Sequence, residues 1–184
     1  MNMIKKLSFY LILIITMSSC FITNTPGFYN GYKNLSENEK SQIIFVNKDS
    51  SICDLNERKI YSINASQLKE CLSKNDTSIV YKWGAKCSSK NCVLIEYLQR
   101  YCDKKGYNLY VVADYYHMEE MKIQNVARYP IFIANHIYYN KYYANSLNKK
   151  FIKDLLNGSE IKGEDYYRYL MFEGESYLKS MIEI

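Results

Sequence analysis

Cys87 and Cys92 stand five positions apart in the segment Tyr81-Lys82-Trp83-Gly84-Ala85-Lys86-Cys87-Ser88-Ser89-Lys90-Asn91-Cys92, between a β-prone run and a run of helical period. The reactive form of cysteine is the thiolate, which neighbouring cations and the exposed N–H groups of a helix N-terminus stabilise. Lys86 and Lys90 supply the cations, and the change from strand to helix supplies the N-terminus. A second cysteine a few residues downstream can attack the mixed disulfide made by the first and release the partner. On spacing alone, the pair reads as a structural disulfide or two idle thiols as readily as it reads as a redox couple. Among other groups able to do chemistry, His117 and His136 have no Cys or acidic partner at metal-ligand spacing, so no metal is expected. Asp114, Glu119 and Glu120 read as the acidic start of a helix. Thiol chemistry of this kind calls for no cofactor.

The compartment bears on the remaining cysteines. Lys5-Lys6 and the apolar stretch Leu7 to Met17, followed by Ser18-Ser19-Cys20, have the layout of a secretion signal. The stretch is too short for a spanning helix, which takes roughly 20 residues. Ser18-Ser19-Cys20 resembles the lipobox of bacterial lipoproteins in the looser form found in Bacteroidetes. That resemblance implies cleavage before Cys20, a diacylglycerol on its sulfur, and a protein held by lipid in the bacterial cell envelope and facing the periplasm. Cys53, Cys71, Cys87, Cys92 and Cys102 then remain, an odd number, so any disulfide scheme leaves a thiol unpaired. Cys71 and Cys102 lie on apolar helical faces and read as small core residues, with a Cys53–Cys71 bridge as the alternative.

The elements that must position these residues follow from pattern. At 48% hydrophobic and 23% charged, the 184 residues suit one compact domain with extensions. The formal charge of +5 falls by two if Lys5 and Lys6 are removed, which argues against nucleic acid as a partner. Lys149, Lys150 and Lys153 read as a solvated helix face. With 20 Tyr in the chain, pairs such as Tyr138-Tyr139 reflect composition rather than a motif. Residues 21–40 lack an apolar period and read as a tether. Ser41 to Val46 and Lys59 to Ile63 are β-prone, and Asn64 with Gln67 forms a capping-box signal for a helix burying Leu68, Cys71 and Leu72. Thr77 to Trp83, Val93 to Lys105 and Tyr107 to Ala113 read as strand, helix and parallel strand. Glu96 pairs with Arg100 on that helix, and Gly106 ends it. A short helix from His117 to Gln124, a strand pair at Ile131 to Ala134 and Ile137 to Asn140, and a helix from Leu147 to Leu156 complete the domain. Tyr166, Tyr167, Leu170, Met171, Leu178 and Met181 are spaced as a helical tail.

From Ile60 to Asn157 the chain resembles the thioredoxin-like superfamily. Trp83 followed by Cys87 matches the approach to that family's redox site, and Val126-Ala127-Arg128-Tyr129-Pro130-Ile131-Phe132-Ile133 matches its apolar strand opened by a cis-proline. By the resemblance, Cys87 is the nucleophile, Cys92 the resolving cysteine and Pro130 the cis-proline facing Cys87, with Trp83, Lys86 and Tyr129 forming the binding surface. The chain departs from the family in its Cys-x4-Cys spacing, in Tyr81 at the place of a buried acid, and in Lys86 directly before Cys87. The expected whole is an α/β protein with a thioredoxin-like mixed sheet flanked by helices. Its expected parts are a signal over 1–19, a tether over 20–40, a domain with an N-terminal β extension over 41–160, and a helical tail over 161–184. It would exchange disulfides with protein thiols, Cys87 attacking and Cys92 resolving. The competing expectation is a non-catalytic lipoprotein of the same fold that binds protein or peptide.

Overall fold

The computed structural model describes residues 28–87, 92–158 and 168–182. The expected signal sequence, Cys20 and Lys90 lie outside them. The protein is α/β, built on a seven-stranded mixed sheet in the order β1-β2-β5-β4-β3-β6-β7. The strands are β1 (Ile43–Phe45), β2 (Ile60–Ile63), β3 (Thr77–Trp83), β4 (Asn108–Ala113), β5 (Phe132–Ala134), β6 (Tyr169–Glu173) and β7 (Ser176–Met181). The helices are α1 (Glu37–Lys40), α2 (Ala65–Ser73), α3 (Ile95–Lys105), α4 (Met118–Ile123) and α5 (Ala144–Leu155). The first five strands in the sheet run parallel, and β6 lies antiparallel to β3. Among the described residues no helix is long and apolar enough to cross a membrane.

Local chemistry sets the helix ends. Asn64 accepts from the Gln67 N–H at 3.0 Å and Gln67 accepts in return from the Asn64 N–H at 2.9 Å, which opens α2. Helix α3 buries Ile95, Leu98 and Cys102, carries the Glu96–Arg100 pair on its outer face, and ends at Gly106, whose φ of 71° is left-handed. As α3 crosses between them, β3 and β4 are parallel, with Trp83 level with Ala113. Ile79, Tyr81 and Trp83 alternate onto the face that packs α3. Val80, Tyr110 and Phe132 point the other way, against Leu68 and Leu72 of α2 and Leu147 and Phe151 of α5.

Three expectations give way here. The described part of the C-terminal segment, residues 168–182, is a β-hairpin and not a helical tail, with Tyr166 and Tyr167 outside the described residues: β6 covers the open edge of β3, and Gly174, with φ of 53°, turns the chain into β7. Pairing with β3 satisfies backbone groups that an uncovered edge would leave exposed, and it buries Tyr169, Leu170 and Phe172. Ile137 to Asn140 forms no strand, because the Asn135 side chain accepts from the N–H groups of Ile137 and Tyr138, both at 3.0 Å, and folds the chain into a turn. Residues 28–40, assigned to the tether, lie on the domain. The Asn30 N–H donates to the Tyr142 carbonyl at 2.8 Å, and the Tyr116 N–H donates to the Asn30 carbonyl at 2.7 Å. Glycine is required next to that contact: a Cβ on Gly31 would stand 2.7 Å from the Tyr116 carbonyl oxygen.

Candidate functional site

Strand β3 ends at the buried Trp83, and Gly84 to Lys86 turn the chain so that the Cys87 N–H donates to the Gly84 carbonyl at 3.1 Å. Cys87 and Cys92 are both partly exposed and form a disulfide, with Cα atoms 5.8 Å apart, inside the range a bridge requires. The helix begins later than expected. Its first residue is Ile95, so both cysteines precede α3, and residues 88–91, which follow Cys87, lie outside the described residues. The connector is tied back to the sheet from below: the Tyr81 hydroxyl donates to the Val93 carbonyl at 3.1 Å, and its ring stacks on Tyr169 at 4.9 Å. Burial pushes the Tyr81 phenol up, so that it serves as an uncharged donor.

Gly84 is the point on which several polar groups converge. A Cβ placed there would lie 3.6 Å from Nη1 of Arg168, 3.7 Å from Oδ2 of Asp114 and 3.7 Å from Cβ of Cys87. Arg168 enters β6, and Asp114 leaves β4. Asp114 is fixed by its backbone N–H on the Trp83 carbonyl at 2.9 Å and by Asn148 of α5, whose Nδ2 donates to the Asp114 carbonyl at 2.9 Å and to its Oδ1 at 3.2 Å. Burial pushes the Asp114 carboxyl up, against the opposing pull of Lys82 and Arg168. The Lys86 N–H donates to the Tyr115 hydroxyl at 3.0 Å, and Phe28 packs edge-on against the Tyr115 ring.

Comparison with protein-family models, with curated proteins and with solved structures finds no match.

The structure brings Trp83, Lys86, Cys87 and Cys92 together and leaves Tyr129 and Pro130 elsewhere. The described peptide bonds, Tyr129–Pro130 among them, are all trans, which corrects the expected cis-proline. Pro130 leads into β5, which β4 separates from β3, and Tyr129 stacks on Tyr110 at 4.7 Å with its hydroxyl near Asn108 at the beginning of β4. Pro130 therefore does not face Cys87 as expected, and the group that reaches Gly84 beside Cys87 is Arg168, at the entry to β6, which pairs with β3. Neither Arg168 nor Asn148 was singled out from sequence, and Asp114 was read as a helix start. The one signal that could have found them is positional, since Asp114 directly follows an apolar parallel strand.

The other cysteines are differently placed. Cys53 and Cys71 form a second disulfide, with Cα atoms 5.1 Å apart and Cys71 fully buried. Cys102 is a buried free thiol, pushed up to about 12 chiefly by burial. His117 accepts from the Glu120 N–H at the start of α4, and His136 is buried among aromatic rings.

Proposed function

We propose that this is a thiol-disulfide exchange protein of the bacterial cell envelope, thioredoxin-like in character, anchored by a lipid on Cys20 and working through Cys87 and Cys92. The observation that carries the reading is the partly exposed Cys87–Cys92 pair at the end of a parallel strand, with Lys86 and Arg168 beside it. Cys71 is buried in its disulfide, and Cys102 is protonated at neutral pH. In the exchange, the Cys87 thiolate attacks one sulfur of a partner disulfide, whose S–S bond breaks and whose second sulfur leaves as a thiolate that takes a proton from water. Cys92, as thiolate, then attacks the Cys87 sulfur, closing the Cys87–Cys92 disulfide and freeing the partner's first thiol. The partner gains two electrons, which a dithiol from another protein must return.

One observation favours the second reading, a non-catalytic binding module in which Cys87–Cys92 is a staple: α3 begins after Cys92, so its dipole does not act directly on Cys87. Trapping separates the two. Cys92→Ser is expected to accumulate mixed disulfides with envelope proteins on a non-reducing gel, and Cys87→Ser to accumulate none. Equal behaviour of the two variants would leave the binding module as the account. Mass spectrometry of the mature N-terminus is expected to find acylated Cys20, and an unmodified N-terminus elsewhere would remove the anchor.

A further inference from the structure

Lys82 and Arg168 oppose one another across the β3–β6 pair, where the Lys82 N–H donates to the Arg168 carbonyl at 2.8 Å. Cross-strand partners of this kind project from the same face. Lys86 is exposed one residue before Cys87, and the Arg168 guanidinium and the Cys87 side chain meet across Gly84. Three cations thus surround the reactive end of the sheet. Among the described residues none of the three forms an ion pair within 4 Å. The Asp114 carboxyl stands among them and offsets at most one charge. An aromatic group adjoins them: Phe28, packed on the Tyr115 ring whose hydroxyl accepts from the Lys86 N–H, is 60% exposed. Unpaired cations beside an exposed aromatic ring, spread over three separate segments, fit a polypeptide better than a small anion.

We propose that this end of the sheet receives an acidic segment of a partner protein, its carboxylates against Lys86 and Arg168 and its cysteine at Cys87. The inference rests on the exchange reading for the role of the sulfur, while the charge preference stands on the surface itself.

The test uses the full chain and three peptides of one length, each with a single cysteine carried as a thionitrobenzoate mixed disulfide and flanked by Glu, by Ser or by Lys. With reduced protein, release of thionitrobenzoate is expected to be about tenfold faster for the Glu peptide than for the Ser peptide, and slowest for the Lys peptide. The spread is expected to collapse at about 0.5 M salt, where the screening length falls to a few ångströms. Lys86→Gln/Arg168→Gln is expected to bring the Glu-to-Lys rate ratio close to one. A second arm measures binding of the same peptides, with Ser in place of Cys, to the oxidised protein, in which no exchange can occur. Tighter binding of the Glu peptide supports the surface even if no peptide reacts, an outcome that would remove the exchange reading alone. Equal binding of all three, or tighter binding of the Lys peptide, overturns the inference whatever the rates.

Discussion

Asp114 is pulled in two directions. Partial withdrawal from water favours its neutral form, while Lys82 and Arg168 favour its charged form, and the first effect is the larger. A carboxyl whose folded-state pKa lies above the unfolded value of about 3.9 holds its proton longer in the folded protein than in the open chain. Its contribution to stability is therefore full below that unfolded value and is lost as pH rises through the folded one. Asp114→Asn keeps an oxygen for the Asn148 amide to donate to and removes the buried charge. The variant is expected to melt higher than the wild type at pH 7, with the gap closing towards pH 4, as followed by thermal unfolding across that range. A constant gap would mean that ionisation of Asp114 is not what the substitution changed. The same carboxylate faces Cys87 across Gly84 and disfavours a second negative charge there. Alkylation of reduced Cys87 at pH 7 is accordingly expected to be a few-fold faster in Asp114→Asn, with the midpoint of its pH profile moved down.

Helix α2 shows what the second disulfide does. Cys71 lies on its inner face near its C-terminus, and Cys53 belongs to the loop between β1 and β2, which Gln67 also holds through its Nε2 donating to the carbonyls of Asn47 at 2.8 Å and Ser50 at 2.9 Å. Linking residues 18 apart limits the unfolded chain by about 3 kcal/mol in the loop-closure account. Cys53→Ser/Cys71→Ser is expected to lose about that much in urea unfolding and to keep the wild-type rate of exchange at Cys87, which lies at the other end of the sheet. A parallel loss of exchange would make this bridge part of the redox path. Elements of this sort were legible in sequence where their causes are local. The Asn64–Gln67 box, the Glu96–Arg100 pair and Gly106 each act within a turn or so of chain, and the crossover through α3 required β3 and β4 to be parallel. The C-terminal hairpin was not legible. The apolar spacing from Tyr166 to Met181 suits a helix as readily as strands, and what decides it is the open edge of β3, far away in sequence. The site divides in the same way: Cys87, Cys92 and Lys86 are neighbours in the chain, whereas Arg168 reaches Gly84 only because β6 pairs with β3. Pro130 was misplaced for the same reason, since its strand took the position between β2 and β4.

The molecule closes around His136, where segments distant in sequence meet. Its ring is 4.7 Å from that of Tyr32 in the N-terminal segment, 5.5 Å from Phe45 in β1, 5.9 Å from Tyr116 after β4 and 5.6 Å from Tyr142 before α5. The imidazole is buried, and among the described residues its Nδ1 has no hydrogen-bond partner. Burial holds its pKa below the usual value of about 6.5. The unfolded chain therefore takes up a proton at a higher pH than the folded protein does, and stability is lost as pH falls from about 6.5 through the lower folded value. Asp114 acts with the opposite sign, being more easily accommodated in acid, so the wild-type curve alone mixes the two effects. His136→Phe isolates one of them, because a phenyl ring keeps the aromatic contacts and cannot be protonated. Between pH 7 and pH 5 the melting temperature of the wild type is expected to fall more than that of His136→Phe. Over the same interval, amide exchange in residues 28–36 is expected to speed up only in the wild type, because Tyr32 packs directly on the imidazole. If the two melting curves run parallel and the N-terminal segment exchanges alike in both, His136 takes up its proton as readily in the folded protein as in the open chain, and the acid response of the protein lies elsewhere.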